Sequence, residues 1–272
     1  MSQFEDFPLS DREFERLRGL VRRHTAIEIG ETKRHLAYTR FSRRLRALGL
    51  DSFDAYCDLI DGGNVDEINE FASAITTNFT RFFREAHHFE FLVRLLAEKE
   101  PDRRLRIWSA GCATGEEPYS IAITLLEALD DIDSWDIRIL ATDIDAKALD
   151  IANAGIFPGD RLEDIDPVIC RRWFRRGRGR FENRIRVADA ARRLIRFREL
   201  NLIGPWPMRN PFDLIFCRNV VIYFSEESRK SLFARFADMQ RPGDHLLVGH
   251  SENLAHICSR YEPVGNTVYR RR

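Results

Sequence analysis

The sequence lacks most of the features that would commit it to a membrane, a disulfide framework or a phosphate-rich ligand. No apolar run approaches ~18 residues, which excludes a membrane-spanning helix. The first residues, Met1 to Asp6, are polar and acidic, unlike a signal peptide. The five cysteines (Cys57, Cys112, Cys170, Cys217 and Cys258) are scattered, with no C-x-x-C pair. An odd, dispersed set argues for reduced thiols in the cytoplasm and against disulfide or zinc frameworks; no metal site is expected. There is no internal repeat and no low-complexity tract. There is also no net charge: 43 Lys and Arg balance 43 Asp and Glu, so the molecule as a whole has no bias toward nucleic acid.

Charge is present, but unevenly. Lys33 to Arg46 holds six Lys or Arg and no acid, and Arg171 to Arg198 holds twelve Arg against Glu182 and Asp189. Local basic patches in a neutral chain suggest two surfaces for acidic partners, or two solvated faces. At 272 residues the chain can bury one large core or two smaller ones.

The organising stretch is Ile107 to Ile121. Leu105 to Ala110 is an apolar run that predicts a buried strand; a glycine turn spans Gly111 to Gly115; Pro118, Tyr119, Ile121, Ala122 and Leu125 then have helical spacing. Strand, glycine turn and helix form the ligand corner of an open, doubly wound α/β sheet. The third glycine of a dinucleotide site is missing. So is the Lys-Ser/Thr of a P-loop, whose place is taken by Glu116 and Glu117. Carboxylates are favoured at a helix N-terminus but would repel a pyrophosphate there. The corner suits a cationic ligand with hydroxyls to donate, and S-adenosylmethionine has both in its sulfonium and ribose diol. The alternative is a tight turn in some other α/β protein. An acid at the tip of the second strand, Asp143, could accept from both ribose hydroxyls.

Five segments, Thr76 to Glu85, Trp108 to Ser120, Ala141 to Asp145, Ile215 to Phe224 and Gly249 to Glu252, resemble the CheR-type chemotaxis receptor methyltransferases in order and approximate spacing, over nearly the whole chain. The resemblance implies a Rossmann-like class I methyltransferase sheet over 76–272 behind an all-helical domain at 1–75, with a small β-subdomain inserted at about 172–198. It implies S-adenosylmethionine as cofactor, with Asn78, Thr80, Arg84, Glu117, Asp143, Asn201, Leu202, Arg218 and Asn219 as its contacts. Asn201 and Leu202 are placed beside the adenine, and Glu117 is chosen over Glu116 by this resemblance alone. Arg84 and Tyr223 are the candidate catalytic residues. The implied partner is the helical cytoplasmic region of chemotaxis receptors, docked on the basic helix, with a receptor C-terminal tail at the β-subdomain in some members. No nucleic-acid partner is expected, and the assembly state expected is a monomer.

Along the chain, helices are expected from Ser10-Asp11 to His24, Glu31 to Leu48 with Leu36, Phe41, Leu45 and Leu48 on one face, Ser52 to Leu59, and Asp66 to Ala74. Phe89 to Leu96 is a short helix, and Pro101-Asp102 closes the junction. Strand two is Ile137 to Ala141, and Asp145 caps Ala146 to Ala154. Pro167 to Trp173 is helical. Ile185–Val187 and Leu194–Phe197 alternate and predict two strands of the inserted lobe. Phe212–Cys217, a helix Glu226–Gln240, His245–Gly249 and a last strand Thr267–Tyr269 complete the sheet. His250 is expected to be a satisfied structural histidine.

The implied reaction is methyl transfer to a glutamate side chain of a receptor. A carboxylate of pKa about 4.3 is already an anion at neutral pH, so no general base is required. Two rival readings are a nucleic-acid methyltransferase and a non-catalytic cofactor-binding adaptor. The absence of an Asn/Asp-Pro-Pro-aromatic turn at Arg218 to Val221 argues against the first. The intact motif positions argue against the second.

Overall fold

A computed structural model describes residues 7–99, 102–254 and 256–272. The expected break at Pro101 and the polar start Met1 to Asp6 lie outside the described residues. Four helices come first: α1 Asp11–Thr25, α2 Arg34–Leu48, α3 Phe53–Asp61 and α4 Val65–Ile75. Three begin on a side chain that takes up a free N–H. Ser10 accepts from Glu13 in a full capping box, Ser52 from Ala55 and Asn64 from Glu67. The fourth, α2, has no such cap; a 3-10 turn at Glu31–Lys33 leads into it, so the regular helix starts later than expected. Its buried strip is Ala37, Phe41 and Leu45. Leu36 and Leu48, expected on that face, stand off the strip at 38% and 39% exposure. Phe41 stacks on Phe71 at 4.8 Å in the middle of this helical core.

The rest of the chain alternates. The elements are α5 His87–Lys99, β1 Arg104–Ala110, α6 Glu116–Ala128, β2 Asp136–Asp143, α7 Ala146–Ala154, β3 Ile156–Pro158, α8 Pro167–Trp173, β4 Phe174–Arg176, β5 Arg184–Val187, α9 Asp189–Arg192 and β6 Ile195–Glu199. Then come β7 Leu214–Cys217, α10 Glu226–Asp238, β8 His245–Val248, β9 Tyr261–Gly265 and β10 Val268–Arg271. The main sheet runs β6-β2-β1-β7-β8-β10-β9. Its first five strands are parallel; β10 runs antiparallel to β8, and β9 antiparallel to β10.

Side-chain alternation explains the two layers. Leu105, Ile107, Leu214, Phe216 and Leu247 point to one face, with α5 and α6. Trp108, Ala110, Ile215, Cys217, Leu246 and Val248 point to the other, with α10 and Trp206. Burial on both faces is what near-continuous apolar strands require. The strand order reverses at β1, with β2 on one side and β7 on the other, so the carboxyl ends of these three strands splay around a crevice.

Two expectations about strands are corrected. Leu194–Phe197 does not belong to the inserted lobe: β6 pairs in parallel with β2, Ile195 opposite Ile139, and forms the edge of the main sheet. The lobe is instead the three-stranded antiparallel sheet β3-β5-β4, which begins at Ile156. The insertion therefore starts and ends earlier than 172–198. The last strand also does not finish the sheet: β9, a strand that was not expected, lies outside it at the edge.

The basic stretch of α2 is less free than its composition implies. Arg34 pairs with Asp11 at 2.6 Å, and Arg44 binds Glu67 and Glu70. Arg40 donates to the carbonyls of Ala74 and Thr76, which closes the end of α4.

Candidate cofactor and active site

The corner predicted from Ile107 to Ile121 is built by close approach. Gly111, at φ +83, lies where a Cβ would meet Val220 Cγ2 at 2.4 Å. Gly115, at φ +98, lies where one would meet the Ala152 Cβ at 2.7 Å. Only glycine allows both the backbone conformation and the contact. The N–H groups of Gly111 and Cys112 both donate to the Thr142 carbonyl, at 2.8 and 2.9 Å, which ties the end of β1 to the end of β2.

Above this corner is a cleft walled by both the helical region and the carboxyl end of the sheet. All nine residues expected to touch the cofactor line it, as does Tyr223. Asp143 is buried and accepts from Ala113 N at 2.7 Å and Asp145 N at 2.9 Å, one bond on each oxygen. A lone pair on each oxygen remains for a diol. Burial pushes its carboxyl pKa up, opposed by these backbone N–H groups. Asn78 donates to Asp145 at 2.6 Å. Asp145 does cap α7 as expected, but it also gathers Ser73, Thr76 and Asn78. Asn201 donates to the His24 carbonyl at 2.6 Å and accepts from Ile203 N, leaving one N–H and one lone pair for a ligand. Leu202 and Thr80 stand on the walls.

The inner wall holds the strongest electrostatics. Arg218, buried, lies between Glu117 at 3.0 Å and Glu85 at 3.4 Å. It also donates to the Arg84 carbonyl. Ser109 donates to the second oxygen of Glu117 at 2.7 Å. Burial pushes the Glu117 carboxyl up, and Arg218 and Ser109 pull it back. Two carboxylates against one guanidinium leave one negative charge over at a buried wall. Glu116 faces elsewhere: Thr114 donates to it at 2.6 Å and Arg161 is 3.7 Å away. The cleft thus receives Glu117 alone of the pair.

The mouth has the opposite sign. Arg81 and Arg84 line it, and Lys33 of the helical region lies 4.7 Å from the Tyr223 ring centroid. Phe79 is 73% exposed there.

Several contributors were not anticipated. Thr25 and Ile27, at the end of α1, form part of the cleft wall, next to Ala26 in the left-handed conformation. Ile27 bridges Phe224, and Glu28 N donates to the Tyr223 carbonyl at 2.8 Å. No motif marks these residues in the sequence. Glu85 and Ser109 sit inside quoted segments but had no role. His250, expected to be a satisfied structural histidine, has a side chain 68% exposed and lies 3.6 Å from Glu85. With His87 these three could converge on an ion. The Arg218 guanidinium, however, already supplies positive charge to that carboxylate.

The residues fit S-adenosylmethionine on their own chemistry. An acceptor faces where a diol would lie, the glycine turn lets a ligand approach the backbone, and the surplus negative charge suits a cation. The family model for the SAM-binding domain of CheR methyltransferase matches residues 78–270, and that for its all-alpha domain matches 12–76. The chain belongs to the CheR methyltransferase family. A probable chemotaxis protein methyltransferase of Rhizobium etli is 43% identical, over 90% of this chain and 94% of that one. Chemotaxis protein methyltransferase 2 of Pseudomonas aeruginosa is 42% identical over 97% and 95%. The chemotaxis protein methyltransferase of Escherichia coli is 38% identical over 97% and 92%. The cofactor of this CheR-family chain is S-adenosylmethionine. Among the described residues no helix is long and apolar enough to cross a membrane.

Proposed function

We propose that the protein esterifies glutamate side chains of chemotaxis receptors with the methyl group of S-adenosylmethionine. The observation that carries this reading is the opposed polarity of the cleft. Its inner wall has the Glu117 and Asp143 carboxylates for a cationic cofactor with a diol, while Arg81 and Arg84 line the cleft for an acidic acceptor and Lys33 lies over the Tyr223 ring nearby.

When bound, the cofactor supplies a methyl carbon activated by cationic sulfur. Asp143 would accept from the ribose hydroxyls; Asn78, Thr80, Asn201 and Leu202 would hold the nucleoside; Glu117, Arg218, Asn219 and Arg84 would hold the amino-acid end. An acceptor carboxylate oxygen would take the methyl carbon and displace the neutral thioether, the C–S electron pair leaving on sulfur. Because the acceptor is already anionic, the chain's work is positioning and exclusion of water. Arg84, whose guanidinium now donates to the Phe79 carbonyl at 3.2 Å, can turn paired N–H groups to that carboxylate. Tyr223 lines the methyl path. The exposed Arg43, on the same helix that Lys33 leads into, serves receptor docking. Arg176, Arg178 and Arg184 of the β lobe, which have no ion-pair partner among the described residues, are available to a receptor tail. The protein acts as a monomer in the cytoplasm.

The test is transfer of a radiolabelled methyl group into receptor-containing membranes. Base-labile label in the receptor band is expected with the parent chain and strongly reduced label with Arg84→Ala and Tyr223→Phe. No label in the receptor refutes the substrate. Near-normal turnover in both variants removes the two residues from the catalytic set.

A further inference from the structure

The loop after β7 delivers Arg218, Asn219, Val220 and Tyr223 to the cleft, and the Arg218 side chain and the Tyr223 carbonyl tie its two ends to neighbouring elements. It has no regular structure until the single turn Val221–Tyr223, and Asn219 sits at φ +60, a conformation that non-glycine residues keep only when their surroundings enforce it. The enforcing group is Glu252, just beyond β8. Its carboxylate is buried and accepts from three backbone N–H groups: Asn219 at 2.8 Å, Val221 at 2.9 Å and Gly249 at 2.6 Å. The first two belong to the loop and the third to the end of β8, so one side chain joins the two strand ends. The contact beneath it is equally close. A Cβ on Gly249 would meet the Asn219 amide nitrogen Nδ2 at 2.5 Å and its backbone N at 2.9 Å.

We infer that Glu252 is a positioning residue for this reaction: with Gly249 it clamps the loop so that Arg218 and Asn219 reach the cofactor and Tyr223 reaches the methyl path. Glu252 touches neither the cleft nor any reacting atom; it acts through backbone it holds. The chemistry calls for a carboxylate. Three converging N–H groups need acceptor lone pairs on both oxygens, and an amide of the same shape offers them on one side only, turning its own N–H groups toward a donor on the other. The inference rests on the assignment of this cleft to the cofactor.

The test compares S-adenosylhomocysteine binding by calorimetry in the parent chain, Glu252→Gln and Gly249→Ala. The opposed buried N–H in Glu252→Gln and the displacement of Asn219 by the new Cβ in Gly249→Ala should each raise Kd about tenfold, with stoichiometry held near one. In receptor methylation both should raise the cofactor KM and lower kcat. A residue needed only for folding would lower the active fraction, and so the stoichiometry, without moving Kd or KM. That result in both variants, or parent-like Kd and KM in both, overturns the inference. Gly249→Ala carries the test alone if Glu252→Gln fails to fold. A parent chain that binds no S-adenosylhomocysteine would instead remove the cofactor site, and the inference with it.

Discussion

Two groups of arginines in this chain look alike in composition and differ entirely in setting. Those of the β lobe, such as Arg178 and Arg184, stand in solvent. Arg218 is buried between Glu117 and Glu85 and also holds the Arg84 carbonyl. An exposed guanidinium keeps its hydration and can be lost at small cost. A buried one has surrendered that hydration, and its removal leaves two carboxylates stranded in a low-dielectric wall. The lesson is that the number of charges in a segment says little; what each charge has given up on folding decides its weight.

The largest effect should come from breaking the buried side of this contrast. Arg218→Ala is expected to cost about 3–5 kcal/mol in denaturant unfolding, since it removes one partner from a buried ionic group. It should also abolish measurable cofactor binding. A loss below ~1 kcal/mol would mean that Arg218 is no more committed than the lobe arginines.

Next comes the diol acceptor. Asp143→Ala removes charge-assisted bonds and should weaken S-adenosylhomocysteine by about 10- to 100-fold in calorimetry. Unchanged affinity would end the ribose assignment.

The third contrast is in pH. Burial, with Arg218 close by, pushes the His88 pKa down to about 2, and burial lowers that of His245 to about 4. Both are neutral in the folded protein and protonate near 6.5 when unfolded. The unfolded state therefore binds more protons below pH 6.5, and stability falls as pH drops through that value toward the folded pKa. Each histidine contributes a slope of up to about 1.4 kcal/mol per pH unit. Asp143 and Glu117, raised by burial, act with the opposite sign: their folded forms keep protons longer, so their contribution is lost as pH rises. Comparing His88→Gln with the parent isolates the histidine, and the variant should show a flatter profile between pH 4 and 6.5. Parallel profiles would place no buried neutral histidine behind Glu85.

The smallest effect belongs to the lobe. The triple variant Arg176→Ala, Arg178→Ala, Arg184→Ala should leave unfolding within ~0.5 kcal/mol per site and cofactor affinity unchanged. Only receptor capture by its tail should weaken. A large fall in stability would erase the distinction drawn above.

The sequence was most legible where apolar period and glycine turn act together, as from Ile107 to Ile121. It was least legible where two segments share one local pattern. Leu194–Phe197 alternates as any half-buried strand does, and nothing local says that its partner is β2 rather than β5. Strand β9, Tyr-Glu-Pro-Val-Gly, carries a proline and a glycine and reads as a loop; its edge position tolerates both. Strand β3 is three residues long and ends in proline. In the site, the side chains that face the cleft came from motif resemblance. The residues that hold those side chains in place bond to backbone groups, as Glu252 does, and such partners leave no trace in residue spacing.

Thr25 and Ile27 make the helical region part of the cleft. A polypeptide cut at residue 76 would lose one side of the cleft. The boundary between the two family domains is therefore a seam in the sequence but not in the binding site.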